Sequence, residues 1–348
     1  MLEKTMKQVL NKKINAWLET IKDDEVKKVI IENLIITGGC FTSMINNETP
    51  NDFDCYFRNK DSVLKIAQYY ADQWNDKKDK EKGHQTNKIN QVCKVMVLDG
   101  ANVSDEIKDY FNIKDDKKTT GAVIIDNCPP ERVKMVFPSD GIVGNPEEAN
   151  GSEELGVESV NQLTENMEAE EVIEELDEIK ADEIIKKEKD PYFPVFISTN
   201  AITLSNNIQI VIRFYGEPSE IHDTYDFAHT KAYYDYGKSE LSIPANVYEY
   251  VINKTLFYTG SKYPVCSLFR LRKFISKGWT INAGQILKIC MQISELDLNN
   301  IEVLEDQLIG VDSVYFMNLI HQFKKQKEKD PNFELTSNYI ISIIDKIF

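Results

Sequence analysis

The stretch Leu34-Ile35-Ile36-Thr37-Gly38-Gly39-Cys40, followed by Asn51-Asp52-Phe53-Asp54-Cys55-Tyr56-Phe57, decides how this chain is read. Leu34 to Ile36 form a short apolar run of the kind that makes a buried strand. Two consecutive glycines then permit a tight turn and the close approach of another group to bare backbone. Phe41 to Asn46 can make one or two helical turns, and Thr49-Pro50-Asn51 ends them. Asp52 and Asp54 stand two apart, and residues i and i+2 of a strand share a face. Two carboxylates on one face offer hard oxygen ligands to Mg²⁺. The glycine turn beside them offers backbone N–H groups to a phosphate. A D-x-D pair alone is usually a solvated strand end, and a Gly-Gly pair alone is usually a turn. The order of strand, glycine turn, short helix and D-x-D strand is more specific than either.

The composition sets the frame. At 348 residues the chain is long enough for two domains or for one with appendages. No apolar run approaches the roughly 20 residues that span a bilayer, and the start, Met1-Leu2-Glu3-Lys4, lacks the apolar core of a signal peptide. Cysteines 40, 55, 93, 128, 266 and 290 are scattered without C-x-x-C spacing. That excludes a zinc ribbon or disulfide framework and suits a reducing compartment. The net charge of −16 is concentrated: residues 141–190 carry −13 of it, leaving −3 for the rest. A uniform acidic excess argues against nucleic-acid binding. Confined to one segment, it leaves that question open.

Along the chain, 1–33 reads as N-terminal helices, with Val9, Leu10, Ile14, Trp17, Leu18 and Ile21 at helical spacing. Residues 34–137 read as the first part of an α+β domain. It contains a helix over 61–74, a polar loop over 75–87, and strands at 92–98, 122–125 and 133–137. Residues 138–192 are acidic and poor in aromatics, as an insertion outside the core is, with a solvated helix expected over about 165–187. This arm offers a docking segment for a protein partner. Residues 193–240 return to globular composition. A hairpin turns at Asn206-Asn207 and leads into the β-rich run Ile208 to Phe214. From 241 to 348 the pattern is all helical, with helices expected at 247–258, 265–277, 283–293, 314–325 and 337–347.

Three blocks carry a resemblance. Gly38-Gly39-Cys40-Phe41 leading to Asp52-Phe53-Asp54 resembles the glycine turn and metal carboxylates of the nucleotidyltransferase superfamily that includes polymerase β. Ile208 to Phe214 followed by Asp226-Phe227-Ala228-His229-Thr230 is similar to the R-R-D-F-T-I-N-A segment of its CCA-adding and bacterial poly(A) polymerase branch. Leu268-Phe269-Arg270-Leu271-Arg272-Lys273-Phe274, then Gly278-Trp279, resembles that branch's L-R-A-x-R-F helix. The resemblance covers about residues 30–60 and 195–282. It implies an α+β fold: a mixed sheet flanked by helices, followed by an all-helical C-terminal domain. It also implies attack on the α-phosphate of a nucleoside triphosphate. Asp52, Asp54 and Asp226 are then the catalytic carboxylates, with Asp52 and Asp54 holding Mg²⁺. Gly38, Gly39, Ser43, Thr230, Arg270 and Lys273 bind the nucleotide. The implied acceptor is RNA or another molecule.

The departures define the alternative. Thr42-Ser43 replace the Arg-Asp that usually follows the turn, and Thr224 and Tyr225 replace the two arginines before Asp226. Gln209 stands where many members of the superfamily carry a third carboxylate, which Asp226 or Asp223 would have to replace. A chain that keeps the fold as a scaffold, for example a structural or assembly component of a phage particle, is the second reading. The expected location is cytoplasmic for an enzyme, or inside a virus particle for the scaffold.

The branch selects C and A with an acidic side chain and an arginine, and those positions hold Pro264 and Ser267 here. Proline has no side-chain donor or acceptor, and serine lacks the reach of an arginine fork. Offered each nucleoside triphosphate separately on tRNA lacking CCA, the protein is expected to show no ordered C, C, A addition. Ordered addition in that assay would contradict this.

Overall fold

The computed structural model describes residues 1–81, 90–95, 118–126, 132–136, 142–144, 192–198, 200–308 and much of 320–347. Two helices lead in, α1 (Glu3–Thr20) and α2 (Asp24–Asn33). Met6, Leu10, Ile14, Trp17 and Leu18 bury one stripe of α1, the stripe that the spacing indicates, shifted to include Met6. Asp23 caps α2, its carboxylate accepting from the Glu25 and Val26 N–H groups.

The chain then builds an eight-stranded mixed sheet. Its strands are β1 (Leu34–Thr37), β2 (Phe53–Phe57), β6 (Ile142–Gly144), β7 (Pro194–Ser198), β8 (Ala201–Leu204), β9 (Ile208–Val211), β10 (Tyr233–Asp235) and β11 (Glu240–Ser242). Their order is β11-β10-β1-β2-β9-β8-β7-β6. The pair β2–β9 is parallel and the other neighbours run antiparallel. Between β1 and β2 lies the short helix α3 (Gly39–Ile45), and after β2 comes α4 (Lys60–Glu81). A separate sheet holds β3 (Asn90–Val95), β4 (Lys118–Asp126) and β5 (Arg132–Val136).

The two faces of the large sheet have different jobs. Leu34, Ile36, Phe53, Cys55, Phe57, Ile208 and Ile210 sink into the main core with α1, α2 and α4. There the Trp17 indole N–H donates to the Tyr70 hydroxyl at 2.6 Å. On the other face Ile35 and Tyr56 pack with Ile221, Val211, Phe214 and Tyr225. Alternation therefore aims Asp54, between core residues Phe53 and Cys55, at this second face.

After β9 come α5 (Pro218–His222), opened by a reciprocal Glu217–Glu220 capping box, and a single 3₁₀ turn at Ala228–Thr230. The C-terminal part is helical: α6 (Ala245–Ile252), α7 (Pro264–Ser276), α8 (Ala283–Ser294), α9 (Ile301–Leu308) and α10 (Ser337–Ile347). It also holds two short paired strands, β12 (Thr255–Leu256) and β13 (Thr280–Ile281).

Several expectations are corrected. The polar run from Asn75 continues α4 to Glu81 instead of forming a loop. The helix expected over 247–258 ends at Ile252, because Lys254 takes a positive φ of 46° and β12 follows. The run Ile208 to Phe214 is strand only to Val211. The helical pattern missed β10, β11 and α9. The insertion begins later than residue 138, because β6 pairs with β7 at the sheet edge. The turn at Cys128-Pro129-Pro130, the helix over about 165–187 and most of the helix over 314–325 lie outside the described residues.

The β6 pairing sets where the acidic arm can be cut. Replacing residues 146–187 by a short Gly-Ser linker is expected to keep one cooperative urea transition, shifted by about 1 kcal/mol or less. A cut that starts at residue 138 removes β6, bares the β7 edge and lowers the midpoint further. Loss of cooperativity in the first variant would show that the arm belongs to the core.

Candidate nucleotide-binding cleft

The site starts from the register of β1 and β2. Thr37 pairs with Asp54, so the glycine turn that follows Thr37 and the carboxylate lie abreast. Gly38 takes φ +98°, a conformation side chains resist. A Cβ at Gly38 would stand 2.6 Å from Asp54 Oδ2 and 3.6 Å from the Tyr225 hydroxyl. The carboxylate thus rests against bare backbone, and only glycine leaves it room. Gly38 also precedes the first turn of α3 without a side-chain cap.

Asp52 and Asp54 line both halves of one cleft, a chamber of about 550 Å³ and another of about 300 Å³. Gly39, Thr230, Arg270, Lys273 and Phe274 are shared by the two. Ser43 lines the larger chamber, and Gly38 and Asp226 line the smaller. All nine residues singled out from the sequence therefore meet at this cleft. Burial and the neighbouring Asp52 carboxylate raise the Asp54 pKa well above its ordinary value, and Lys273 opposes them. Burial also pushes up the thiols of Cys40 and Cys55 behind it, and Asp54 adds to that shift.

The third carboxylate does not join the pair. Asp226 accepts a hydrogen bond from Arg270 Nη1 at 2.6 Å. Among the described residues no three His, Cys, Asp or Glu side chains gather as a metal-binding group. The residue beside Asp54 on the sheet is Gln209, its partner in the parallel β2–β9 register, and it lines the smaller chamber. The protein's own hard-oxygen set is thus the two carboxylates. That number suits Mg²⁺, which takes one or two carboxylates and completes its shell with water and substrate phosphates.

Helix α7 and its C-terminal end supply three of the cleft's cations and two of its aromatic rings. Arg270, Lys273 and Lys277 are three and four apart, one helical face, and all line the larger chamber. The spacing makes Lys277 legible in the sequence, though the resemblance drew attention only to the first two. The helix ends in a Schellman motif. Gly278 at φ +81° donates its N–H to the Ile275 carbonyl, and the Trp279 N–H reaches the Phe274 carbonyl at 3.0 Å. This end folds Trp279 back beside Phe274, ring centroids 6.0 Å apart.

His229 packs against these two rings, its centroid 4.2 Å from that of Trp279 and 4.6 Å from that of Phe274. Neither ring nitrogen has a hydrogen-bond partner among the described residues. Burial drops its pKa to about 4, so the ring is neutral at pH 7. The Thr42 hydroxyl donates to the His229 carbonyl at 3.3 Å, tying α3 to the 3₁₀ turn.

The tyrosines that follow the 3₁₀ turn lie away from the cleft. Tyr233 and Tyr234 line neither chamber. Tyr234 is core, its hydroxyl donating to Asn11 Oδ1 at 2.8 Å, and Tyr233 reaches Glu240. The rings that do line the cleft include Trp279, Phe274, Tyr263, Tyr56 and Tyr225. Pro264 and Ser267 are buried at the start of α7 and line neither chamber.

A family model described as Gabija anti-defense 2 family protein matches residues 8–254. A relative named Gabija anti-defense 2, from Bacillus phage SPbetaL7, is 24% identical over 136 residues. Those residues are 39% of this chain and 33% of the relative, so the chain spans about a third of the length of the curated relative it matches. No solved structure matches.

A carboxylate kept close to a second carboxylate costs stability that a site can justify only by use. Asp54→Asn keeps the shape and removes the charge. It is expected to raise the urea midpoint at pH 7. The sign with pH follows from the raised folded-state pKa: the wild type loses stability as pH rises through that value. The Asn variant's advantage is therefore largest at high pH and vanishes below about pH 4, where Asp54 is protonated folded or unfolded. A variant less stable than wild type at pH 8 would contradict this account.

Proposed function

Because the chain belongs to the Gabija anti-defense 2 family, we propose that it counters Gabija defence by metal-dependent nucleotidyl transfer. The observation that carries the reading is the Asp52–Asp54 pair lining one cleft with Gly39 and the cations of α7. A nucleoside triphosphate needs all three features together: carboxylates for its metal, bare backbone N–H groups for phosphate, and charge-assisted donors for the leaving group. Mg²⁺, held by Asp52 and Asp54, supplies charge neutralisation at the phosphates.

The residues divide the remaining work. Gly39 and Ser43 on α3 receive the β- and γ-phosphates, with Lys273 and Lys277 opposite them on α7. Trp279 and Phe274 give the larger chamber its apolar wall. An acceptor hydroxyl attacks the α-phosphorus and forms a new P–O bond. The bond to the β-phosphate oxygen breaks, pyrophosphate leaves, and the hydroxyl proton passes to water. Arg270 is held by Asp226, so its positive charge is fixed in place before substrate arrives.

The scaffold reading keeps one specific support, the neutral Gln209 beside Asp54. In it the cleft is a remnant, and the protein acts as a structural or assembly component. Titration calorimetry separates the two. Wild type is expected to bind a nucleoside triphosphate only with Mg²⁺, and Asp52→Ala/Asp54→Ala to weaken that binding at least about tenfold, a loss of about 1.4 kcal/mol. Transfer of α-phosphate label to an acceptor, lost in the same variant, completes the case. Absence of Mg²⁺-dependent binding in wild type would favour the scaffold.

A further inference from the structure

The smaller chamber has a wall that nucleotide binding leaves unused. Its centre is Arg213, two residues past the end of β9 and only 2% exposed, yet lining the chamber. Asn200 fixes it twice. The Asn200 carbonyl accepts from the N–H groups of Ile212 and Arg213 at 2.9 and 3.3 Å, and its side-chain oxygen accepts from Arg213 Nη1 at 3.2 Å. The guanidinium lies over the Tyr263 ring at 4.7 Å and near Phe214 at 5.4 Å. Its Nη2 is 3.6 Å from an Asp306 oxygen, beyond hydrogen-bond distance. Nε and Nη2 have no hydrogen-bond partner among the described residues.

A buried guanidinium whose Nε is unpaired and whose Nη2 has only the longer Asp306 ion pair is expensive, and a bound anion is one group that completes it. The flat fork of an arginine matches the oxygens of a phosphate. Tyr56 and Tyr225 line the same chamber as Tyr263 and Phe214 and give it aromatic walls beside which a base fits. A chamber of about 300 Å³ is at the small end of ligand sites. It closes around one nucleotide unit rather than against a folded protein surface. Its place also fits: in-line displacement needs attacking and leaving groups on opposite sides of the reacting phosphorus. Asp52 and Asp54 lie on the wall common to both chambers.

We propose that the smaller chamber is the acceptor subsite, and that Arg213, set by Asn200 and Tyr263, binds the phosphate nearest the attacking hydroxyl. The acceptor is then the 3′ end of a nucleic acid, not a protein side chain. This rests on the nucleotidyl-transfer reading and adds the class of the second substrate and the residues that select it.

The test uses two probes on the full chain: a non-hydrolysable ATP analogue with Mg²⁺, and a short 5′-labelled oligoadenylate. Arg213→Met is expected to weaken the oligoadenylate at least about tenfold, the loss of a charge-assisted contact. Binding of the analogue should change by less than about twofold, since no Arg213 contact to it is invoked. Arg213→Lys should recover part of the loss, because it restores charge without the fork. If Arg213→Met melts far below wild type, Asn200→Ala serves instead, with a several-fold loss confined to the oligoadenylate. Equal binding of the oligoadenylate by all variants overturns the proposal, as does parallel loss of both probes. An Arg213-dependent complex with a serine- and tyrosine-containing peptide, and none with oligoadenylate, overturns it in favour of a protein acceptor. Failure of wild type to bind the ATP analogue defeats the underlying reading, and this inference with it.

Discussion

The Asp54 carboxylate pressed against bare backbone at Gly38 is the contact the site depends on. The β1–β2 register sets Thr37 opposite Asp54, and so sets the glycine turn beside the carboxylate. The positive φ of Gly38 and the 2.6 Å approach leave no room for any side chain there. The cost is electrostatic, because burial and Asp52 both disfavour the charge on Asp54. The fold offsets part of that cost from outside the sheet, through Lys273 on α7. The sheet therefore creates a concentrated negative site, and the helical part answers it.

That answer is built by local rules. Pro264 at the first position of α7 starts the helix, and the Schellman end at Gly278 stops it. Between them, Arg270, Lys273 and Lys277 share one face. The stop also sets Trp279 over His229, whose unpartnered ring is held neutral by burial. The family model ends at residue 254, before this helix begins. The matched region thus contains the carboxylates and the glycine turn, while three of the five Lys and Arg side chains that line the cleft, Arg270, Lys273 and Lys277, come from beyond it.

The sequence made the carboxylate pair readable because every step was local: an apolar run, two glycines, a proline break and an i, i+2 spacing. Helices with a strong stripe, such as α1 and α10, were legible for the same reason. Elements that rest on tertiary pairing were not. β10 contains Tyr234 and Asp235, and it exists because β1 offers an edge to pair with. The short β12 and β13 hold each other in parallel and cut short a run that reads as helix. Arg213 was hidden as well. Its chemistry comes from Asn200, Tyr263 and Asp306, which lie 13 to 93 positions away in sequence and meet it only in the fold.

Gln209 closes the argument about how the metal and nucleotide depend on each other. It pairs in register with Asp54, so a carboxylate there would add a third negative charge to a position where two already raise the Asp54 pKa. The amide avoids that penalty, and two carboxylates remain as the anionic groups that a proposed Mg²⁺ would meet. Two carboxylates hold Mg²⁺ weakly unless further oxygens complete its octahedron, and the phosphates of the nucleotide are the natural donors. On the nucleotidyl-transfer reading proposed above, metal and nucleotide would bind as one unit, each stabilising the other by the same free energy.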